Sequence, residues 1–308
     1  MVRYVLQRSA QMIVVVFGVV TLVFFILRIA SGDPARLMNP PGQQEEIIQL
    51  TRERLGTDRP ILVQYGDYLL GIVRGDLGVS FHGGQPVLGE ILKAVPNSAI
   101  LALVTILVSS SLALILGIGA ALQVNRLFDR IVLVYVSVAL ATPSFWLAIV
   151  LVFFFSIRLR WLPAVDLQGP QSFVLPVTTL AVALTPVLIR TVRQSFLETL
   201  ADDHVRAARA RGIPERRVIL VHGLKVAALP LVTLIGLQLG LILAGSYVVE
   251  VIFNWPGIGK LTLDAVAGRN FPMIQGGVLV AALAFVIVNF LVDLTYAALD
   301  PRIRLGAK

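Results

Sequence analysis

Side chains suited to bond-making chemistry are scarce in this sequence. It contains no cysteine, which removes disulfides, thiol catalysis, thiolate zinc sites and iron–sulfur clusters. Its three histidines, His82, His204 and His222, lie far apart on different segments, so no metal-ligand spacing survives and no catalytic group is assigned. No Gly-x-x-x-x-Gly-Lys-Ser/Thr phosphate loop occurs, so nucleotide chemistry has no seat on this chain. What remains is the chemistry of contact. Between Arg190 and Lys225 positive charge is concentrated. Glu198 to Arg211 has helix-forming composition, Gly212 suits a helix end, and Pro214 suits the first turn of a second helix. Two short helices are therefore predicted to meet at a sharp corner. Ala207 and Ala208 leave room there for another surface, and Arg206, Arg209, Arg211, Arg216 and Arg217 surround them. Such a corner is a docking knob; the plainer alternative is a set of solvated arginines that hold the loop on one side of a membrane.

The elements that position this loop follow from composition. Apolar residues make up 57% of the chain and charged ones 14%, against roughly 25% charged in an average soluble domain. Six stretches carry no Asp, Glu, Lys or Arg: Ser9 to Leu27, Ala94 to Asn125, Ile131 to Ile157, Leu167 to Ile189, Val226 to Val249 and Asn270 to Val292. The shortest has 19 residues, and about 20 helical residues cross an apolar slab of about 30 Å. A membrane barrel needs alternating polar and apolar positions, whereas Met12 to Ile26 and Leu147 to Ile157 are apolar without such alternation. An all-α membrane protein with six transmembrane helices is predicted, the second trimmed to about 98–124 and the fourth to about 173–195. Pro143 is expected to kink the third span, and Pro176 and Pro186 the fourth.

Orientation follows from Lys and Arg. With the amino terminus inside, the inner segments hold 15 such residues and the two short outer loops only 4. Both termini are read as cytoplasmic, and the net charge of +8 as topology plus attraction to membrane lipid, with no nucleic acid involved. Residues 1–30 form an N-terminal segment and first span, kept as an anchor although Met1 to Arg8 would also suit a signal peptide. Residues 31–97 form a small extracytoplasmic segment with two amphipathic runs, Glu45 to Leu55 and Ile61 to Val73. Residues 98–308 form the core with the remaining spans and the loop at about 197–228. Arg28 is expected to snorkel to the outer headgroups.

Few polar groups punctuate the spans. Gln238, Ser246 and Glu250 recur at intervals of eight and four, which places them on one broad helix face. Gly236, Gly240 and Gly245 allow close helix packing, either within this chain or against a partner.

The order Asp203-His204-Val205-Arg206-Ala207-Ala208-Arg209-Ala210-Arg211-Gly212, followed by Pro214, Arg217, His222 and Pro230, resembles the cytoplasmic EAA-type loop of ABC importer permeases. Gly32-Asp33-Pro34, Gly75-Asp76-Leu77-Gly78, Phe253-Asn254-Trp255-Pro256-Gly257 and Asp300-Pro301-Arg302 extend the resemblance to the B-type permeases of dipeptide and oligopeptide importers, over essentially the whole chain. Arg206 stands where the general consensus has Glu, and the interval from Gly212 to Pro230 is longer. The resemblance implies a type I permease fold in the cytoplasmic membrane of a prokaryote. It also implies a homologous second permease, two cytoplasmic ATPase domains that carry ATP and Mg and dock on the loop, and an extracytoplasmic peptide-binding protein. Gln238, Ser246 and Glu250 would then face a water-filled cavity between this chain and the second permease, where Glu250 meets a peptide amino group in passing. Nickel or haem are alternative cargoes for the same role. A self-sufficient secondary transporter or channel is the rival from another class, and it requires a relay at mid-membrane, where neither Glu250 nor Asp293 lies.

Overall fold

A computed structural model of the chain describes residues 2–30, 33–39, 42–164, 167, 169–219 and 224–299. Over these residues the chain is helical, as expected, and the one β-pairing is an isolated bridge between Val79 and Pro86. In order the helices are α1 (Val2–Ala30), α2 (Pro34–Met38), α3 (Glu45–Leu55), α4 (Ile61–Arg74), α5 (Val87–Leu122), α6 (Leu127–Ala141) and α7 (Ser144–Leu151). A π-helical stretch, Val152–Arg158, and a 3-10 turn, Pro170–Phe173, lead to α8 (Val174–Ala201), α9 (Asp203–Ala210) and α10 (Glu215–Arg217). The chain continues through α11 (Leu224–Gly245), α12 (Tyr247–Ile252), α13 (Ile258–Ala267) and α14 (Phe271–Leu299).

Among the described residues four stretches are long and apolar enough to cross a membrane: Leu6–Ile29, Val87–Leu122, Pro170–Ala201 and Phe271–Thr295. A fifth crossing is available if α6 and the helix after it count as one span, although the two legs are bent by 99°. The expected fifth span corresponds to α11, whose 22 residues rise about 33 Å; its described apolar part, Pro230–Leu243, is shorter than a full crossing.

Two expectations about the spans are corrected. The second helix begins at Val87, eleven residues before the expected start; Glu90 and Lys93 pair at 2.8 Å near its start and Pro96 is accommodated inside it. The third span is broken, not merely kinked. Pro143 cannot donate a backbone hydrogen bond and drives Thr142 to an extended conformation (φ −91°, ψ 116°), so α6 ends there. Pro176 falls in the first turn of α8, where a missing N–H goes unnoticed, and α8 runs on through Pro186.

The chain divides into two compact units. One comprises residues 2–98 and 256–286. In it, Phe24 of α1 stacks on Tyr68 of α4 at 5.5 Å, and Thr21 and Tyr65 share a 2.6 Å hydrogen bond. Arg28 Nε donates to Gln64 at 2.9 Å, and its guanidinium lies 4.6 Å from the Phe24 ring centre. The two amphipathic runs are helices, as expected, with α2 before them. Asp33 caps α2 and accepts from Arg52 at 2.7 Å, which raises the Arg52 pKa through that hydrogen bond. Asn270 ties the glycine-rich turn down, its Oδ1 accepting from Phe81 N at 3.1 Å and its Nδ2 donating to Ser80 at 2.7 Å. Val87, Ile91, Ala265, Phe271, Met273 and Ile274 form this unit's core.

The other unit comprises residues 99–255 and α14 from Ile287 onward. One core joins Leu101, Ala102 and Ile106 of α5 to Ala148, Leu175, Leu180, Ile242, Val249 and Trp255. A second joins Ala113 and Ala120 of α5, Val132 and Val136 of α6, and Leu188, Ile189, Val192 and Phe196 of α8. Helix α8 contributes to both, and it is the most buried of the four spans. It leads directly into the arginine-rich corner.

Candidate coupling corner and polar seam

The corner forms, but not as one helix from Glu198 to Arg211. Helix α8 stops at Ala201, Asp202 is extended (ψ 147°), and α9 starts afresh at Asp203. Gly212 takes φ +72°, the left-handed conformation that costs glycine nothing, and so turns the chain after α9. Pro214 caps α10, standing one residue before its expected place within it. Val205, Ala208 and Val218 are buried together, with Leu200 and Ile213 against them.

This packing corrects one assignment. Ala208 is buried inside the corner, so it offers nothing to a partner; the exposed small residues are Ala207, Ala210 and Gly212. Asp203, His204, Arg206, Arg209, Arg211, Pro214 and Arg217 are exposed around them. Arg209 clasps Glu215 through two bonds of 3.1 and 2.7 Å, which pins α9 to α10. That hydrogen bond first, and the attached charge second, hold the Glu215 carboxyl below its ordinary pKa and raise Arg209. With the folded value depressed, the clasp stands at neutral pH and is lost as pH falls through that lowered value. Both partners are largely solvated, so its contribution is small. His204 lies 3.2 Å from Asp202 and lowers the Asp202 pKa, chiefly by hydrogen bonding. Arg211 and Arg217 have no acidic partner among the described residues. His222 and the Asp300-Pro301-Arg302 segment lie outside the described residues.

The polar residues of the fifth span are not arranged as their spacing predicts. Helix α11 ends at Gly245, Ser246 leaves helical geometry (ψ 17°), and Glu250 belongs to the next helix, α12. Glu250 is 1% exposed and accepts from Ser246 Oγ at 2.7 Å, while Gln238 is buried and donates to the Leu184 carbonyl at 3.4 Å. All three are buried within this chain. A carboxylate in apolar surroundings is costly unless bonded, and the break at Ser246 supplies a hydroxyl for it. Gly236 packs within the chain, since a β-carbon there would fall on the Val292 side chain; Gly240 is also buried, and Gly245 ends α11.

Spacing gave no sign of two further features. Thr105, Ser109 and Ser110 of α5 turn hydroxyls inward with no hydrogen-bond partner among the described residues. Asp129, 1% exposed at the start of α6, accepts from Arg193 Nε at 2.8 Å and Nη2 at 2.9 Å, and from the Asn125 backbone at 2.9 Å. The bonds fasten the turn before α6 to α8 about three helical turns upstream of α9. The signal was the lone acid beside Arg126 and Arg130, just ahead of a charge-free run.

Residues 113–305 match the family model described as binding-protein-dependent transport system inner membrane component, and residues 1–102 match the N-terminal model of the same kind of membrane component. The chain is 39% identical over 304 residues to the glutathione transport system permease protein GsiC of Escherichia coli (strain K12), covering 99% of each chain. Identity and coverage are the same for the protein of that name from Salmonella typhi. The chain thus belongs to the binding-protein-dependent transport inner membrane component family, as a multi-pass permease subunit of an ABC importer in the inner membrane.

Proposed function

We propose that this permease carries short peptides, dipeptides to oligopeptides and tripeptides of glutathione size, inward across the cytoplasmic membrane. The observation that carries the substrate class is the full-length similarity to glutathione permeases, which leaves no segment of either chain unmatched on a large scale. In this proposal a homologous second permease completes the pathway, and an extracytoplasmic binding protein delivers the peptide. Two ATPase domains, which hold ATP and Mg, dock on the corner of α9 and α10, the termini lying on the same, cytoplasmic side. The exposed Ala207, Ala210 and Gly212 support the docking, since small residues admit a cleft wall closely while the arginines around them supply charge.

Uptake of labelled dipeptide, glutathione and a longer peptide tests the proposal, in cells stripped of their own peptide importers and supplied with this permease and its neighbouring transporter genes. ATP-dependent uptake of at least one peptide is expected, lost when the ATPase gene is omitted. Uptake of nickel or haem alone would replace the substrate class. Uptake that persists without the ATPase and collapses with the proton gradient would replace the transport class.

A further inference from the structure

We propose that a cleft between α6 and α8 binds the phosphate headgroup of an anionic phospholipid, with its acyl chains lying along the two helices. The cleft measures about 470 Å³ and is lined by Leu133, Arg190, Thr191, Arg193, Gln194 and Ser195. Three independent observations converge on it, none of which depends on the transported substrate.

Depth comes first. The charge-free run on α6 begins at Ile131, directly after Arg130, and the charge-free run on α8 ends at Ile189, directly before Arg190. Two helices running in sequence toward and away from the cleft thus leave the hydrocarbon at the same place. A cleft there lies at headgroup level.

Charge comes second. Arg193 commits Nε and Nη2 to Asp129, so its charge is already matched. Arg190 is exposed and has no acidic partner among the described residues. Glu198 is held by Gln194 at 2.7 Å, one turn farther along α8 from the hydrocarbon. The uncompensated group in the cleft is a guanidinium, whose planar fork binds phosphate oxygens in pairs, with the Thr191 and Ser195 hydroxyls on the same wall.

The third observation selects a lipid over a free phosphate. From the cleft toward the hydrocarbon, α6 presents Leu133, 38% exposed, and then Leu140, 49% exposed, seven residues apart on one face. On α8, Val187 precedes Arg190 by three residues and is 41% exposed. An apolar track therefore leads away from the cationic end in the direction an acyl chain takes.

The test uses the permease purified in complex with its partner subunits. A fluorescent thiol probe at Leu140→Cys sits on this chain's single thiol, and the same complex without the substitution gives the background from the partner subunits. Phosphatidylglycerol with brominated chains should quench the probe at lower concentration than brominated phosphatidylcholine. Adding Arg190→Gln should weaken the phosphatidylglycerol response about fivefold, from about one basic side chain's attraction to an anionic surface. Inorganic phosphate should not reverse the quenching. Equal quenching by both lipids, an unchanged response with Arg190→Gln, or reversal by inorganic phosphate would each overturn the proposal. So would crosslinking of Leu133→Cys to the second permease, which would show a protein in the groove.

Discussion

At the residue scale, the bond pattern around Asp129 carries the sharpest energetic consequence. A carboxylate with 2% of its side chain exposed is satisfied by three donors, two from one guanidinium. Removing one partner of a buried pair leaves the other charge uncompensated, at about 3–5 kcal/mol. Arg193 retains 19% exposure and can rehydrate in part, which places the loss at about 3 kcal/mol or less. Asp129→Asn should thus lower the unfolding midpoint of the purified protein, and Arg193→Gln should do likewise. The double variant should lose less than the sum, because neither charge is then stranded. Additive losses in a thermal or denaturant series would refute the pairing. The pair joins positions 64 apart in the chain, so local spacing held no trace of it. Glu250 is the mirror case: its spacing from Ser246 was legible, but the break between them was not. The stop signal was Gly245, which spacing assigned to helix packing; α11 ends on it and the chain turns at Ser246.

At the scale of elements, the corner of α9 and α10 was legible as two short helices with a glycine turn, because Gly212 and Pro214 punctuate the backbone by their own chemistry. Which alanine faces outward was not. Adjacent residues on a helix lie about 100° apart, so the inward one of Ala207 and Ala208 is decided by where Val205 and Val218 pack. The distinction gives an opposed pair of variants. Ala208→Asp puts a carboxylate among Val205, Val218, Leu200 and Ile213 and should loosen the corner itself, at a cost of several kcal/mol. Trypsin should then cut faster after Arg209 and Arg211. Ala207→Asp should leave the cutting rate unchanged yet reduce ATPase copurification, because it places bulk and charge only on the exposed face. Normal copurification with Ala207→Asp would remove that face from the interface. Prolines teach the same lesson: Pro143, Pro176 and Pro186 are equivalent as letters, yet one breaks a span by 99°, one sits in a first turn, and one is carried inside a helix.

At the scale of the whole molecule, the apolar runs were legible because a hydrocarbon slab imposes length and forbids charge, a constraint read directly from composition. The number of crossings is a finer matter, since α6 has 15 residues and the following helical residues 144–158 number the same, each leg rising only about 22 Å. Together they cross once if the elbow at Pro143 lies within the bilayer, and not at all if the legs enter and return. The two cases differ in parity. Arg74 lies before α5 and Ala210 after α8, so a crossing by the bent pair gives three spans between them and opposite sides. A re-entrant pair gives two spans and the same side. Asp264 lies beyond α11 and reports whether that helix crosses, by falling opposite Ala210. All three residues are exposed, and none has the positive φ that would strain a substituted Gly75. Single Arg74→Cys, Asp264→Cys and Ala210→Cys variants can be treated in intact cells with an impermeant thiol reagent. Labelling at 74 and 264 but not 210 is the expected outcome, from the excess of 15 basic residues on the inner side and six crossings. Labelling at 74 and 210 together would make the bent pair re-entrant. Labelling at 210 alone would keep six crossings and reverse the orientation, contrary to the distribution of positive charge.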